Sequence, residues 1–161
     1  MSGTPADLFA SIESGGEHTC GVTLSGTVRC WGRDDIGQAS PPSGTFDSVS
    51  VGDKHSCGVR PNGTVECWGS NLGGRSNVPE GLTDIVRVQA AYTYTCAQDS
   101  AGMVTCWGKR GERQLEAPDY PVGPISGLWQ HMCATVPGTS DVVCWGNSGG
   151  DRTTPRDAVA D

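Results

Sequence analysis

The chain alternates short apolar runs with turns rich in glycine and proline, and long helical periodicity is rare. Such short runs, enriched in valine, isoleucine and threonine, are typical of β-strands. The only sizeable stretch free of glycine and proline, residues 82–101, contains VRVQAAYTYTC. This segment is β-branched, aromatic and roughly alternating, and we interpret it as strand too. The pattern therefore predicts an all-β protein.

The same pattern recurs four times, and the tripeptide CWG marks each copy. An earlier cysteine precedes CWG by ten residues in three copies and by eleven in the last, giving the pairs Cys20/Cys30, Cys57/Cys67, Cys96/Cys106 and Cys133/Cys144. Two residues before each first cysteine stand His18, His55, Tyr94 and His131. We expect a single repeat domain over residues 1–161, with repeats near 9–45, 46–84, 85–121 and 122–161.

A hairpin is legible within each unit. In CGVRPNGTVEC, the loop ends in Gly63, and a three-residue loop with glycine in the left-handed position connects hairpins. The equivalent register in the first repeat places Cys20 opposite Cys30 and Val22 opposite Val28, on one face. A unit of three or four short strands must stack on its neighbours to bury that face. A period near 38 residues favours the blades of a β-propeller.

Composition and charge narrow the possible partners. The formal net charge is −7, whereas nucleic-acid binding relies on a basic surface, so we expect no nucleic-acid partner. Apolar runs fall well short of the ~18 residues that span a membrane, so we expect no membrane insertion. The first residues show no signal-peptide pattern.

The eight cysteines and three histidines admit several chemistries. Zinc knuckles use closely spaced cysteine pairs, whereas the paired cysteines of this chain are ten or eleven residues apart on facing strands. We therefore expect no metal and no cofactor. His18 and Cys20 could form a nucleophile and its base, but the arrangement is copied in other repeats and therefore indicates a structural role. Cysteines on opposed strands lie within disulfide distance, and four disulfides are expected. Free buried thiols in a cytoplasmic protein are the alternative.

The segment GDKHSCGVRPNGTVECWGSN, residues 52–71, resembles the repeat of the regulator of chromosome condensation family. The resemblance is carried by the histidine, the Gly-Thr-Val after the turn and the Trp-Gly pair, and it is closest to the cysteine-rich branch of exported proteins and receptor ectodomains. It implies a β-propeller that presents its faces to protein partners, in an extracellular or exported setting. Family propellers usually have seven blades. Four repeats would form a closed four-bladed propeller, an arc completed by dimerisation as a homodimer, or an open arc that belongs to a longer protein.

Function is expected where the repeats differ, since the shared positions form the scaffold. The turn just before each histidine position differs between repeats. It is Gly16-Glu17 in the first repeat, and the equivalent turns of the other three repeats contain the predicted binding residues Asp53, Lys54, Tyr92, Thr93, Trp129 and Gln130. Exposed tryptophan and tyrosine are frequent interface anchors. We therefore predict a non-enzymatic module that binds a protein partner. The alternative is a lectin that stacks sugar on Tyr92 and Trp129. An enzyme would need unrepeated titratable groups, for which Glu112, Glu116 and Asp119 are loose candidates.

Overall fold

The computed structural model describes residues 8–109 and 115–146. These residues form four antiparallel sheets of three strands each, one sheet from each repeat. The strands are β1 (Phe9–Ser14), β2 (His18–Thr23), β3 (Val28–Gly32), β4 (Ser48–Val51), β5 (His55–Val59), β6 (Val65–Gly69), β7 (Ile85–Ala90), β8 (Tyr94–Asp99), β9 (Val104–Gly108), β10 (Ser126–Leu128), β11 (His131–Thr135) and β12 (Val142–Gly146). A short 3-10 turn, Leu72–Gly74, follows the second sheet. The all-β array of four blades is therefore confirmed.

The register within each blade follows the hairpin reading. Cys20 pairs with Cys30, and Val22 pairs with Val28, across β2 and β3. Gly63 has a φ of 74°, the left-handed conformation that this loop requires. Because alternation has a period of two, both cysteines and both valines of a blade lie on the same face.

Residues 82–101 are mainly strand, as their β-branched and aromatic pattern predicts, and a turn interrupts them at the predicted position before Tyr94. This stretch forms two antiparallel strands, β7 and β8, joined by a turn at residues 91–93. Alternating β-branched and aromatic residues continue through the turn, so propensity alone does not reveal the break. The signal that places the break is the repeat, because Tyr94 occupies the column that holds histidine in the other blades.

The core lies between the blades, not within them. Cys20, Val22 and Val28 of the first blade pack against Phe46 and Val49 of the second, and Trp68 completes this cluster. Equivalent clusters join the second blade to the third and the third to the fourth. Each of the first three blades thus buries its cysteine-bearing face against the aromatic face of the next, which is how a repeat that cannot bury its own face gains stability.

The first strands of successive blades run beside each other, β1 along β4 and β4 along β7. The turn that follows each first strand therefore emerges on the same side of the array. These turns contain the residues that vary between repeats, so stacking brings the variable positions together.

Candidate functional site

One residue or more from each of the four blades lines a single concave pocket of about 160 Å³, which we call the central pocket. Its lining residues are Ser14, Gly15, Gly16, Asp53, Tyr92 and Trp129. The turns converge closely because two of them lack side chains. A Cβ atom added to Gly15 would lie 1.9 Å from the carbonyl oxygen of Gly52, and one added to Gly52 would lie 2.5 Å from that of Ala91. Glycine is therefore required for this approach of backbone to backbone.

Tyr92 and Trp129 are the two aromatic residues that line the pocket. Tyr92 and Trp129 stack with their ring centroids 5.3 Å apart and an interplanar angle of 20°. The Tyr92 amide donates to the Trp129 carbonyl at 3.1 Å, which fixes the two turns together. Both rings are solvent-accessible, with Tyr92 37% and Trp129 60% exposed. They do not fold inward to fill space left by the missing histidine, since Tyr94 fills it and is fully buried.

Trp129 also has a φ of 60°, a left-handed conformation that bulky residues rarely adopt. Backbone strain of this kind typically costs on the order of 1–3 kcal/mol. The strained turn displays the indole at the pocket instead of directing it into the core.

A buried arginine, Arg75, is hydrogen-bonded to the turn that carries Tyr92. Arg75 is only 4% exposed, and its Nε and Nη1 atoms donate to the carbonyls of Leu72 and Tyr92, each at 2.9 Å. Burial lowers the pKa of Arg75, and the nearby carboxylate of Asp53 opposes this shift. Arg75 therefore holds the Tyr92 turn in place, and Asp53 supplies the negative charge at the pocket.

The other predicted binding residues lie beside the pocket and contribute backbone contacts. The carbonyl of Lys54 accepts from Ser70 at 2.8 Å, and that of Thr93 accepts from Lys109 at 3.1 Å. Gln130 is half-buried. The structure thus brings together Asp53, Tyr92 and Trp129 of the predicted set, and it adds Ser14, Gly15 and Gly16.

The repeated histidines are parts of the scaffold. The Nε2 atom of His18 lies 2.8 Å from the Oγ of Ser56 in the next blade, and this hydroxyl donates to the carbonyl of Gln38 at 3.2 Å. Because the hydroxyl proton goes to the carbonyl, the histidine is the donor and carries its proton on Nε2. His55 repeats the arrangement with Thr95, and the Thr95 hydroxyl donates to the Arg75 carbonyl at 3.0 Å.

Burial lowers the pKa of His55 to about 3, and the positive charge of Arg75 adds to the effect. Burial also lowers the pKa of His18. Both imidazoles are therefore neutral near pH 7, which suits a fixed hydrogen bond between blades.

Sequence reasoning did not assign the role of Gln38. Its side chain is 1% exposed, and its carbonyl accepts from the Ser56 hydroxyl and, at 3.1 Å, from the indole of Trp68. Arg75 serves the third blade in the same way, accepting from Thr95 and from Trp107 at 3.0 Å. Both stand eight residues after the CWG cysteine, which is the signal that could have identified them.

All eight cysteines form disulfides, and each bond joins the expected pair: Cys20–Cys30, Cys57–Cys67, Cys96–Cys106 and Cys133–Cys144. Within residues 8–109 and 115–146, no group of three or more histidine, cysteine, aspartate or glutamate side chains is placed to hold a metal ion. Glu112 lies outside the described residues, and Glu116 and Asp119 are exposed. In the same described ranges, no helix has the length and apolar character needed to cross a membrane.

Comparison with known proteins identifies the repeat. The family model of the regulator of chromosome condensation (RCC1) repeat matches residues 9–38 and 46–75, which contain all the strands of the first and second blades. The first two blades therefore match the RCC1 repeat. A search of curated proteins finds no match.

Solved structures of similar architecture cover most of this chain. The ectodomain of the receptor kinase CR4 from Physcomitrella patens is 26% identical with a TM-score of 0.74, and 86% of this chain and 39% of that chain are covered. The CRINKLY WD40 ectodomain of the Arabidopsis thaliana receptor kinase ACR4 is 27% identical with a TM-score of 0.74, covering 87% and 51%. Prp20p from Saccharomyces cerevisiae is 18% identical with a TM-score of 0.70, covering 84% and 44%. The RCC1-repeat array described here therefore spans about half of these propellers or less.

Proposed function

We propose that this RCC1-repeat array is a non-enzymatic protein-binding module that receives a lysine or arginine side chain of its partner in the central pocket. The observation that carries the proposal is the convergence of Tyr92, Trp129 and Asp53 from three different blades on one pocket. An exposed aromatic ring face beside a carboxylate provides a cation with a cation–π contact and a counter-charge.

The size of the pocket supports a single side chain as its guest. Sites for small molecules and cofactors typically occupy ~300–1,000 Å³, and the central pocket has about 160 Å³. The net charge of −7 attracts a basic partner over longer distances. Exposed tryptophan and tyrosine are also the residues most enriched in binding hot spots.

The comparisons support protein binding as the general role. Prp20p, which shares the fold, is bound by Kap60, and its binding to Gsp1p and histones has been characterised. The four disulfides and the two receptor-kinase ectodomains support an extracellular or exported location for this chain. The carbohydrate-binding alternative receives no support from these neighbours.

An array of peptides that differ only in a central lysine, arginine, leucine or glutamate tests the proposal, with a glycan array as the second arm. We expect the wild-type chain to prefer lysine and arginine peptides. We expect Asp53→Asn and Trp129→Ala each to lower the affinity for these peptides at least about tenfold. Tyr120→Ala, which removes an aromatic ring that is 43% exposed outside the pocket, is the matched control. Equal binding of glutamate peptides, or selective binding of glycans, would contradict the proposal.

A further inference from the structure

The two ends of the array carry the two halves of an interface that the chain already forms three times. The outward face of the first blade, which we call the leading face, holds Phe9, Ile12, Thr19 and Trp31. Phe9, Ile12 and Trp31 are 37%, 54% and 46% exposed, whereas their counterparts in the second blade are buried, namely Phe46, Val49 and Trp68.

The leading face is already shaped as a blade interface. Phe9 and Trp31 meet edge to face with centroids 5.8 Å apart, and the buried pair Phe46 and Trp68 has the same separation. The exposed aromatic pair therefore has the arrangement that its buried counterpart uses to receive a preceding blade.

The outward face of the fourth blade, which we call the trailing face, is the matching half. It holds His131, Cys133, Thr135, Val142 and Cys144. Val142 is 38% exposed, whereas its counterpart in the first blade, Val28, is 5% exposed beneath the second blade. Cys133 is also partly exposed, whereas its counterparts Cys20, Cys57 and Cys96 are completely buried.

The polar positions on the two faces also match. In the internal interfaces, the histidine of one blade donates to the hydroxyl that follows the histidine column of the next, as His18 does to Ser56. Tyr94 of the third blade interrupts this pairing, and Met132 of the fourth blade stands where the hydroxyl would be. At the two ends the pairing chemistry is present again, with His131 on the trailing face and Thr19 on the leading face. The Thr19 hydroxyl lies 3.2 Å from Ser14 Oγ, and it has further capacity to accept a hydrogen bond.

We propose that a second copy of this chain covers both faces, so that the leading face of each copy packs against the trailing face of the other and His131 donates to Thr19 of the other copy. Continuity with the internal interface favours this occupant, because the same residue types meet in the same register. The described residues of two copies supply eight blades, within the ~4–8 found in closed propellers. A ring of this kind has two identical contacts and leaves no open face.

Native mass spectrometry and light scattering of the oxidised chain across micromolar concentrations test this inference. We expect the mass of two chains, and we expect Ile12→Glu on the leading face or Val142→Glu on the trailing face to produce monomers. Leu72→Glu, at an apolar residue that is 73% exposed away from both faces, is the matched control and should remain dimeric. Thr19→Val should raise the dimer dissociation constant at least about fivefold, since each ring contains the His131–Thr19 pair twice.

Three results would overturn the inference. They are a wild-type monomer throughout the concentration range, an open-ended polymer, or a dimer that survives both glutamate substitutions. Peptide binding at the central pocket uses other residues and is measured separately, so failure of either proposal is distinguishable from failure of the other.

Discussion

The Nε2 atom of His55 in the second blade lies 2.8 Å from the Oγ1 atom of Thr95 in the third. This bond and its counterpart between His18 and Ser56 cross the boundaries between blades at buried positions. Each hydroxyl donates a hydrogen bond to a loop carbonyl, that of Gln38 or Arg75. The repeated histidine is therefore a connector between blades, and its chemistry makes the stability of the array depend on pH.

Acid should destabilise the array through His55. Burial lowers its pKa from 6.5 to about 3, so between these values the unfolded chain binds a proton that the folded chain does not. Stability is therefore complete above pH 6.5 and falls as the pH decreases below it. Each unit of pH should cost up to about 1.4 kcal/mol from this residue. Urea unfolding at pH 7, 6 and 5 measures the slope.

The variant His55→Gln provides the comparison. It removes the titrating group, so its stability should decline less steeply between pH 7 and pH 5, although it starts lower by about 1–2 kcal/mol because the buried bond to Thr95 is disturbed. Identical slopes for wild type and variant would show that His55 does not govern the acid response.

The blade disulfides should stabilise the fold measurably. The Cys57–Cys67 bond closes a loop between residues ten apart in sequence, and the chain-entropy model assigns such a loop roughly 2–3 kcal/mol. The double variant Cys57→Ala/Cys67→Ala should lose about this amount in urea unfolding. The intact chain should also have a mass eight hydrogens below that of its reduced form. An unchanged unfolding midpoint would contradict the stabilising role.

The hydrogen bond between histidine and hydroxyl can be rebuilt at the boundary between the third and fourth blades, where the chain lacks it. Tyr94 and Met132 are fully buried in one cluster and occupy the histidine and hydroxyl columns. Tyr94→His alone should destabilise the fold by about 2–3 kcal/mol, since it leaves a buried imidazole facing a thioether.

Adding Met132→Thr should recover part of that loss. The restored pairing predicts a favourable coupling energy of about 1 kcal/mol in a double-mutant cycle. Purely additive effects of the two substitutions would show that the side chains at positions 94 and 132 do not interact across the blade boundary.

Much of this architecture can be predicted from the sequence because the chain repeats the same unit four times. The column of His18 and the facing pair Cys20 and Cys30 recur, and a repeated position reports on the scaffold. The turn at residues 91–93 escaped a reading based on propensity, since its residues continue the strand-like pattern. Only alignment of Tyr94 with the histidine column places it.

The site was legible only in part. Variation between repeats indicated Asp53, Tyr92 and Trp129, but the same argument included Lys54 and Gln130, which flank the central pocket. Which neighbours in a turn line a pocket depends on backbone direction, such as the left-handed φ of Trp129, and a pattern of residue types does not encode it.

We propose one division of roles in this molecule, in which repeated positions form the scaffold and variable positions bind the partner. It is tested most directly by measuring, for the same two variants, the free energy of unfolding and the affinity for the preferred lysine peptide. Trp129→Ala should leave stability within about 1 kcal/mol of wild type, because the ring is 60% exposed, while affinity falls at least about tenfold. His55→Gln should lose stability and, under conditions where it is folded, keep wild-type affinity. Unchanged affinity in Trp129→Ala, together with lost affinity in folded His55→Gln, would contradict the account.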